Sequence, residues 1–449
     1  MRQEEIRVRG TVQGVGFRPT VYRLAKACEL KGEVCNDGQG VLIQVSGRAE
    51  AVDEFVKRLQ QECPPLARIE TITRRPNQSD RIFTDFVITK SVNSIVRTEI
   101  APDAATCLQC KAEIFDPFSR WYRYPFTNCT HCGPRLSIIR SIPYDRSNTS
   151  MAPFAMCSDC GKEYQDVENR RFHAQPIACA VCGPQVWLEQ ADGQLVTTVS
   201  TTEALDTVCQ LLQQGAIVAI KGLGGIHLAG DATNETVVQK LRSRKQRYHK
   251  PFALMARDMA VIEAYCTPNP KERELLESPA APIVLIEAKR GAREREKYQD
   301  LSTHKLQSPN PSFISVATPI APSVAPGQTT LGFMLPYTPL HHLILQQMDR
   351  PIVLTSGNLS DEPQCIDNEE ARLQLGKIAD YFLLHNRDIV NRVDDSVVRV
   401  VGRKQEVDKC DKAEFNQSPI TRHPSPITHH PSPVTRHPSV VSRQSSVVR

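Results

Sequence analysis

Eight cysteines arranged as four Cys-x2-Cys pairs constrain this 449-residue chain more than any other feature. The pairs are Cys107/Cys110, Cys129/Cys132, Cys157/Cys160 and Cys179/Cys182, so two Cys-x2-Cys-x18-Cys-x2-Cys units stand in tandem. A thiolate pair on one tight turn fills two corners of a zinc tetrahedron, and a second pair brought back by a loop of this length closes the other two. Disulfides suit small secreted domains, and the N-terminus carries no signal peptide pattern. Bacterial ferredoxin clusters require Cys-x2-Cys-x2-Cys runs, which are absent. The spacing therefore predicts two structural Zn2+ sites. Four thiolates per ion leave no open position for catalysis, so these metals would hold the fold and not do chemistry.

The other cysteines are scattered, as expected in a reducing cytoplasm. No apolar run approaches the roughly 20 residues of a membrane span. The net charge of +5 invites a nucleic-acid reading, but four arginines in residues 415–449, with no acid among them, leave only +1 for the rest. Residues 411–449 form a low-complexity tail with a heptapeptide period (Ser418-Pro-Ile-Thr-Arg-His-Pro and its copies). Two prolines per repeat forbid a coiled coil, so the tail reads as disordered or polyproline II. A seven-nucleotide repeat read in triplets returns the same period. A reading frame lost near Lys404–Phe415 is thus one origin, and a genuine Pro-rich partner-binding linker the other.

Residues 1–92 alternate β and α signals. Strands are predicted at 4–10, 32–35, 41–45, 68–75 and 83–90, and helices at 19–30 and 49–61, in the βαββαβ order of the ferredoxin-like motif. Between the first strand and helix lies Gly10-Thr-Val-Gln-Gly-Val-Gly-Phe-Arg18. A glycine-rich loop entering a helix points backbone N–H groups at an anion, and Arg18 adds a forked donor. The string resembles the acylphosphatase signature. That resemblance implies a phosphate-binding loop of Gln13, Gly14, Val15, Gly16 and Phe17. It makes Arg18 the phosphate grip, and Asn36 the residue that orients the attacking water.

Residues 104–188 hold the cysteine units, and 200–403 read as a further α/β domain. There a helix at 202–214 precedes a strand at 216–221, the loop Gly222–His227 and a capped helix at 231–240. The basic segment Lys240–Phe252 carries six Lys/Arg and could be a solvated face, an RNA patch or a triphosphate site. A buried strand then runs into Thr355-Ser-Gly-Asn358. Residues 289–321 look like a surface-loop insertion. These pieces resemble the YrdC-like domain, which implies ATP and carbamate binding by Lys221, Lys245, Arg247, Lys250, Thr355, Ser356 and Asn358, and a carbamoyl-adenylate product.

The α+β multidomain order is acylphosphatase-like, then twin four-cysteine zinc units, then YrdC-like. It is similar to the HypF family of [NiFe]-hydrogenase maturation carbamoyltransferases. That resemblance implies hydrolysis of carbamoyl phosphate and passage of carbamate to a second site. Activation there would use ATP, with Mg2+, before transfer to the C-terminal cysteine of the acceptor protein HypE. The family continues for roughly another domain, so the final transfer is expected to be missing from this chain. The rival readings are a zinc-stabilised RNA-binding module acting through Lys240–Lys250, and an inactive fragment.

Overall fold

The computed structural model describes residues 1–77, 81–92, 99–196, 200–289, 318–360 and 362–401. The repeat tail and most of the 289–321 insertion lie outside them. Residues 1–400 form one compact unit.

The N-terminal sheet is built from β1 (Arg2–Thr11), β2 (Lys31–Asp37), β3 (Gly40–Gly47), β4 (Arg68–Pro76) and β5 (Phe86–Ile88). Its order is β4-β1-β3-β2-β5, antiparallel except where β5 joins the edge parallel to β2. Two helices, α1 (Phe17–Ala27) and α2 (Ala49–Gln61), bury one face. Period-2 alternation puts Ile6 and Val8 of β1 and Ile43 and Val45 of β3 into the same core as Val21 and Leu24 of α1 and Phe55 and Leu59 of α2. Helix α1 begins at Phe17, two residues before the predicted start. Gly16 at φ 78° makes the sharp entry, and Pro19 still falls in the first turn, where its missing N–H costs nothing.

A register shift between Arg9 and Gly10 interrupts the β1–β4 ladder. Gly10 has φ 118°, and a Cβ there would lie 2.2 Å from the Arg68 carbonyl oxygen. This irregularity turns the chain out of β1 and into the glycine loop.

The middle of the chain carries little regular structure. Its two α-helices, α3 (Leu108–Phe115) and α4 (Ser158–Gln165), each begin immediately after the first cysteine of a unit.

A second, mixed sheet contains β6 (Val186–Gln190), β7 (Val218–Lys221), β8 (Ile226–Asp231), β9 (Ala253–Met255), β10 (Ile283–Glu287), β11 (Thr330–Met334), β12 (Ile352–Ser356), β13 (Tyr381–His385) and β14 (Val397–Val398). Its order is β14-β10-β11-β9-β12-β8-β7-β13-β6. Helices α5 (Thr201–Gln213) and α6 (Glu235–Arg244) pack on it. One expectation is corrected here. Residues 226–231 are a buried strand between β7 and β12, and the helix predicted from Asp231 starts at Glu235. Asp231 accepts from the Thr233 backbone and hydroxyl in a turn, and Asn234 takes the cap by accepting from Val237 N. Among the described residues no helix is long and apolar enough to cross a membrane.

Gly10→Ala should lower unfolding stability by about 1–3 kcal/mol, because the new Cβ meets a carbonyl oxygen in a left-handed backbone position. A guanidinium denaturation midpoint equal to that of the parent chain would contradict this.

Candidate active sites and metal centres

Gln13 fixes the glycine loop from below. Its side chain is fully buried, donates to the Asp37 and Gly40 carbonyls at 2.7 and 2.9 Å, and accepts from Tyr144 N at 3.1 Å. Gly14 and Gly16 take φ values of 77° and 78°. Their Cα atoms face the Tyr144 ring and Thr130, where added Cβ atoms would sit at 3.4 and 3.1 Å. The left-handed backbone favours glycine at both positions, and the tight approach to Thr130 adds to it at Gly16. Arg135 holds the loop from the other side, donating through Nε to the Gly14 carbonyl at 2.6 Å.

Arg18 projects from the first turn of α1 and is buried. Asn36, near the end of β2, reaches it. With its amide placed to satisfy both polar atoms, the Asn36 oxygen accepts from Arg18 Nε and Nη2, each at 3.2 Å. Arg18 also pairs with Asp145 at 2.9 Å and donates to the Tyr144 carbonyl and the Ser91 hydroxyl, each at 3.3 Å. The cleft around it is narrow and is walled by Gly14, Gly16, Arg18, Asn36, His173 and Gln175, among others. Burial, reinforced by the Arg18 charge, pulls His173 down to about 4, so its imidazole is neutral at pH 7. The structure thus brings Arg18, Asn36 and the loop glycines together. Asp145, His173 and Gln175 also border the site. Their sequence context carries no motif, because they arrive from the cysteine-rich segment through tertiary contact alone.

The eight paired cysteines form two clusters of four, with all ligand sulfurs of a cluster within 4.8 Å of one another. Neighbouring Sγ distances are 3.8, 3.8 and 3.4 Å in the first and 3.8, 3.8 and 3.6 Å in the second. A tetrahedral ion with Zn–S bonds of about 2.3 Å requires sulfurs roughly 3.8 Å apart, so the donor sets fit zinc. None of these thiols is in a disulfide.

In the second sheet, Lys245 caps α6 and turns inward. Its Nζ donates to the Ser356 carbonyl, the Asn358 carbonyl and Asn358 Oδ1 at 2.6, 2.6 and 2.5 Å. Ser356 Oγ donates to Asn358 Oδ1 at 2.8 Å. Burial, with the Arg247 charge adding to it, pulls Lys245 down to about 7. Arg247 lies over the Phe252 ring at 5.1 Å and donates to the Lys250 and Pro251 carbonyls. A cavity is lined by Arg247, Phe252, Thr355, Ser356, His227 and Asp395, among others.

Four expected members do not line that cavity: Lys221, Lys245, Lys250 and Asn358. Lys221 is buried at the end of β7, donating to Asn368 Oδ1 at 2.8 Å and the His385 carbonyl at 3.2 Å, and does not line that cavity. The Lys250 side chain is exposed. His227 and Asp395 also border the cavity, although neither is among the predicted site residues. His227 Nε2 lies 3.4 Å from Asp395 Oδ2. Although burial opposes it, hydrogen bonds from His227 and Tyr337 hold the Asp395 carboxyl below the usual range. A neighbouring cavity shares Asp394 and Asp395 with this one and extends to Asp103 and Ala104.

Comparison with known proteins follows the same division. Residues 4–88 match the Acylphosphatase family, residues 106–139 and 156–189 the HypF finger, and residues 210–308 and 292–408 the Sua5/YciO/YrdC family described as Telomere recombination. The chain is 48% identical over 402 residues to a carbamoyltransferase HypF of Rhodobacter capsulatus, covering 89% of this chain and 49% of that protein. It is 41% identical over 83 residues to an acylphosphatase of Caldivirga maquilingensis, covering 18% of this chain and 86% of that protein. The crystal structure of full-length HypF in the phosphate- and nucleotide-bound form superposes with a TM-score of 0.79 at 43% identity, over 89% of this chain and 48% of that one. The chain therefore spans about half the length of the HypF relatives it matches.

The Lys245 geometry predicts a pH dependence. Its folded-state value near 7 lies below the ordinary lysine value of about 10.4, so between these limits the unfolded chain binds more protons. Stability contributed by this group should rise as pH rises from 7 to 10. Lys245→Met should flatten that slope in urea midpoints measured across the range. An unchanged slope would show that Lys245 is not the titrating group.

Proposed function

This chain is a HypF-family sequence spanning about half the length of its relatives, and from that premise we propose that it carries two activation steps of carbamoyl transfer for [NiFe]-hydrogenase maturation. In the first, the loop N–H groups and Arg18 bind the phosphate of carbamoyl phosphate. Water, oriented by the neutral amide of Asn36, attacks the acyl phosphate, leaving carbamate and inorganic phosphate. A carboxylate at position 36 would repel the anionic substrate, so an amide suits the role. The neutral His173 adds no charge to the pocket.

In the second step a carbamate oxygen attacks the α-phosphate of ATP, forming carbamoyl-adenylate and releasing pyrophosphate. Arg247 offsets the phosphate charge and Thr355 and Ser356 orient the acid, while Lys245 and Asn358 hold Ser356 in place through hydrogen bonds. Mg2+, bound with the nucleotide, would neutralise the leaving pyrophosphate. Lys221 and Lys250 take outer positions in this scheme. Transfer to the C-terminal cysteine of HypE is assigned to the full-length enzyme. Two bound zinc ions hold the middle segment.

The observation that carries the reading is the presence, in one compact body, of an Arg18/Asn36 cleft and an Arg247/Thr355/Ser356 cavity. Carbamate decomposes in water, so enclosing both steps prevents its loss. The RNA-binding alternative needs the 240–250 cations at the surface. Lys245 is instead buried, and Arg247 is engaged by backbone carbonyls and Phe252.

The test is carbamoyl-phosphate-dependent ATP–pyrophosphate exchange by the purified chain. Exchange should be present and should vanish in Arg18→Ala. Asn36→Ala should slow carbamoyl-phosphate hydrolysis on the order of 10²–10³-fold. A well-folded, zinc-loaded chain that neither hydrolyses carbamoyl phosphate nor exchanges pyrophosphate would overturn the assignment.

A further inference from the structure

The two cysteine units repeat at an offset of 50 residues, and the repeat extends beyond the ligands. Glu113 corresponds to Glu163, Arg120 to Arg170, and Arg123 to His173. The last two share a left-handed backbone, with φ values of 54° and 56°. The corresponding arginines do not serve their own clusters. Arg120, from the first unit, places Nη2 3.2 Å and Nη1 3.7 Å from Cys160 Sγ of the second. Arg170, from the second unit, places both Nη1 and Nη2 3.2 Å from Cys110 Sγ of the first, with Nη1 3.8 Å from Cys107 Sγ.

Each guanidinium is anchored by the glutamate of the unit it reaches. Arg120 lies 3.5 Å from Glu163, and Arg170 is hydrogen-bonded to Glu113. Arg171 ties the two halves together. It is bonded to Glu113, lies 3.6 Å from Glu163, and sits 4.0 Å over the Trp121 ring, with Arg120 at 4.4 Å from the same ring.

The exchange has an electrostatic reason. A zinc ion in four thiolates carries a net charge of −2, and Cys110 and Cys160 are fully buried. Burying that charge uncompensated is costly. A guanidinium stays protonated at any accessible pH and donates two N–H groups in a fixed fork. Charge-assisted donation to sulfur therefore lowers the cost of the loaded state, as outer hydrogen bonds to metal ligands do generally. Because each fork comes from the other repeat, neither cluster is complete alone.

We propose that the two clusters form one coupled metal unit, in which Arg120 secures the metal of Cys157/Cys160/Cys179/Cys182 and Arg170 that of Cys107/Cys110/Cys129/Cys132. The inference rests on zinc as the resident ion. Its signature is a crossed effect, in which a substitution in one repeat loosens the metal held by the other.

The experiment uses the full zinc-loaded chain. Zinc content is measured first, and then N-ethylmaleimide labelling of each cysteine is followed by mass spectrometry in the presence of a chelator. Arg120→Gln should speed labelling of the second cluster about ten- to hundred-fold relative to the first, and Arg170→Gln should do the reverse, within the range set by outer-shell substitutions. Should either variant not fold, Arg120→Lys and Arg170→Lys keep the charge, lose the fork, and should give the same crossed pattern at smaller amplitude. Faster labelling confined to the mutated residue's own cluster, equal acceleration of both, or no change would overturn the coupling. A parent chain holding fewer than two zinc ions would overturn the metal assignment itself.

Discussion

Thiolate charge gathered into two small volumes is the constraint on which the rest of the structure depends. The segment from 104 to 185 has two short α-helices and two single 3-10 turns, so little of it is held by secondary structure. What fixes it is the demand that four sulfurs converge on one point, twice. Structural zinc supplies on the order of 10 kcal/mol of folding free energy in small domains. Two such ions in these cysteine clusters would position more than the clusters themselves. Tyr144, Asp145, His173 and Gln175 all belong to this segment, and all border the Arg18 cleft.

The parts of this architecture legible in sequence are those set by local stereochemistry. Cysteine spacing announces the clusters because sulfur ligands must meet at a fixed separation. The glycines before Arg18 announce the loop because two of them need a left-handed backbone. Period-2 alternation in residues 2–11 and 40–47 announces a half-buried sheet. What failed to show was decided by tertiary packing. Asp231 and Asn234 are both capable caps, and the choice between them follows from a strand pairing of residues 227–231 with β12 that local pattern does not encode. Asp145 on Arg18, and Arg120 on Cys160, join residues 127 and 40 positions apart with no periodic relation between them.

The basic run at 240–252 illustrates the same limit. As a string it reads as one positive patch. As the end of α6 and its following turn it splits by direction. Lys240 and Arg244 pair with Asp380, Lys245 points inward to Ser356 and Asn358, and Lys250 faces solvent. Charge density along a chain does not give charge density on a surface, because helical rotation and burial distribute neighbouring side chains to different surroundings.

The packing of Gly14 against Tyr144 and of Gly16 against Thr130 makes the N-terminal loop and the cysteine-rich segment one continuous wall of the Arg18 cleft. The glycine loop lies against side chains that a different part of the chain supplies, and His173 and Gln175 complete the lining. A change that loosened the cysteine-rich segment would therefore open this cleft without touching Arg18, Asn36 or any residue of the loop.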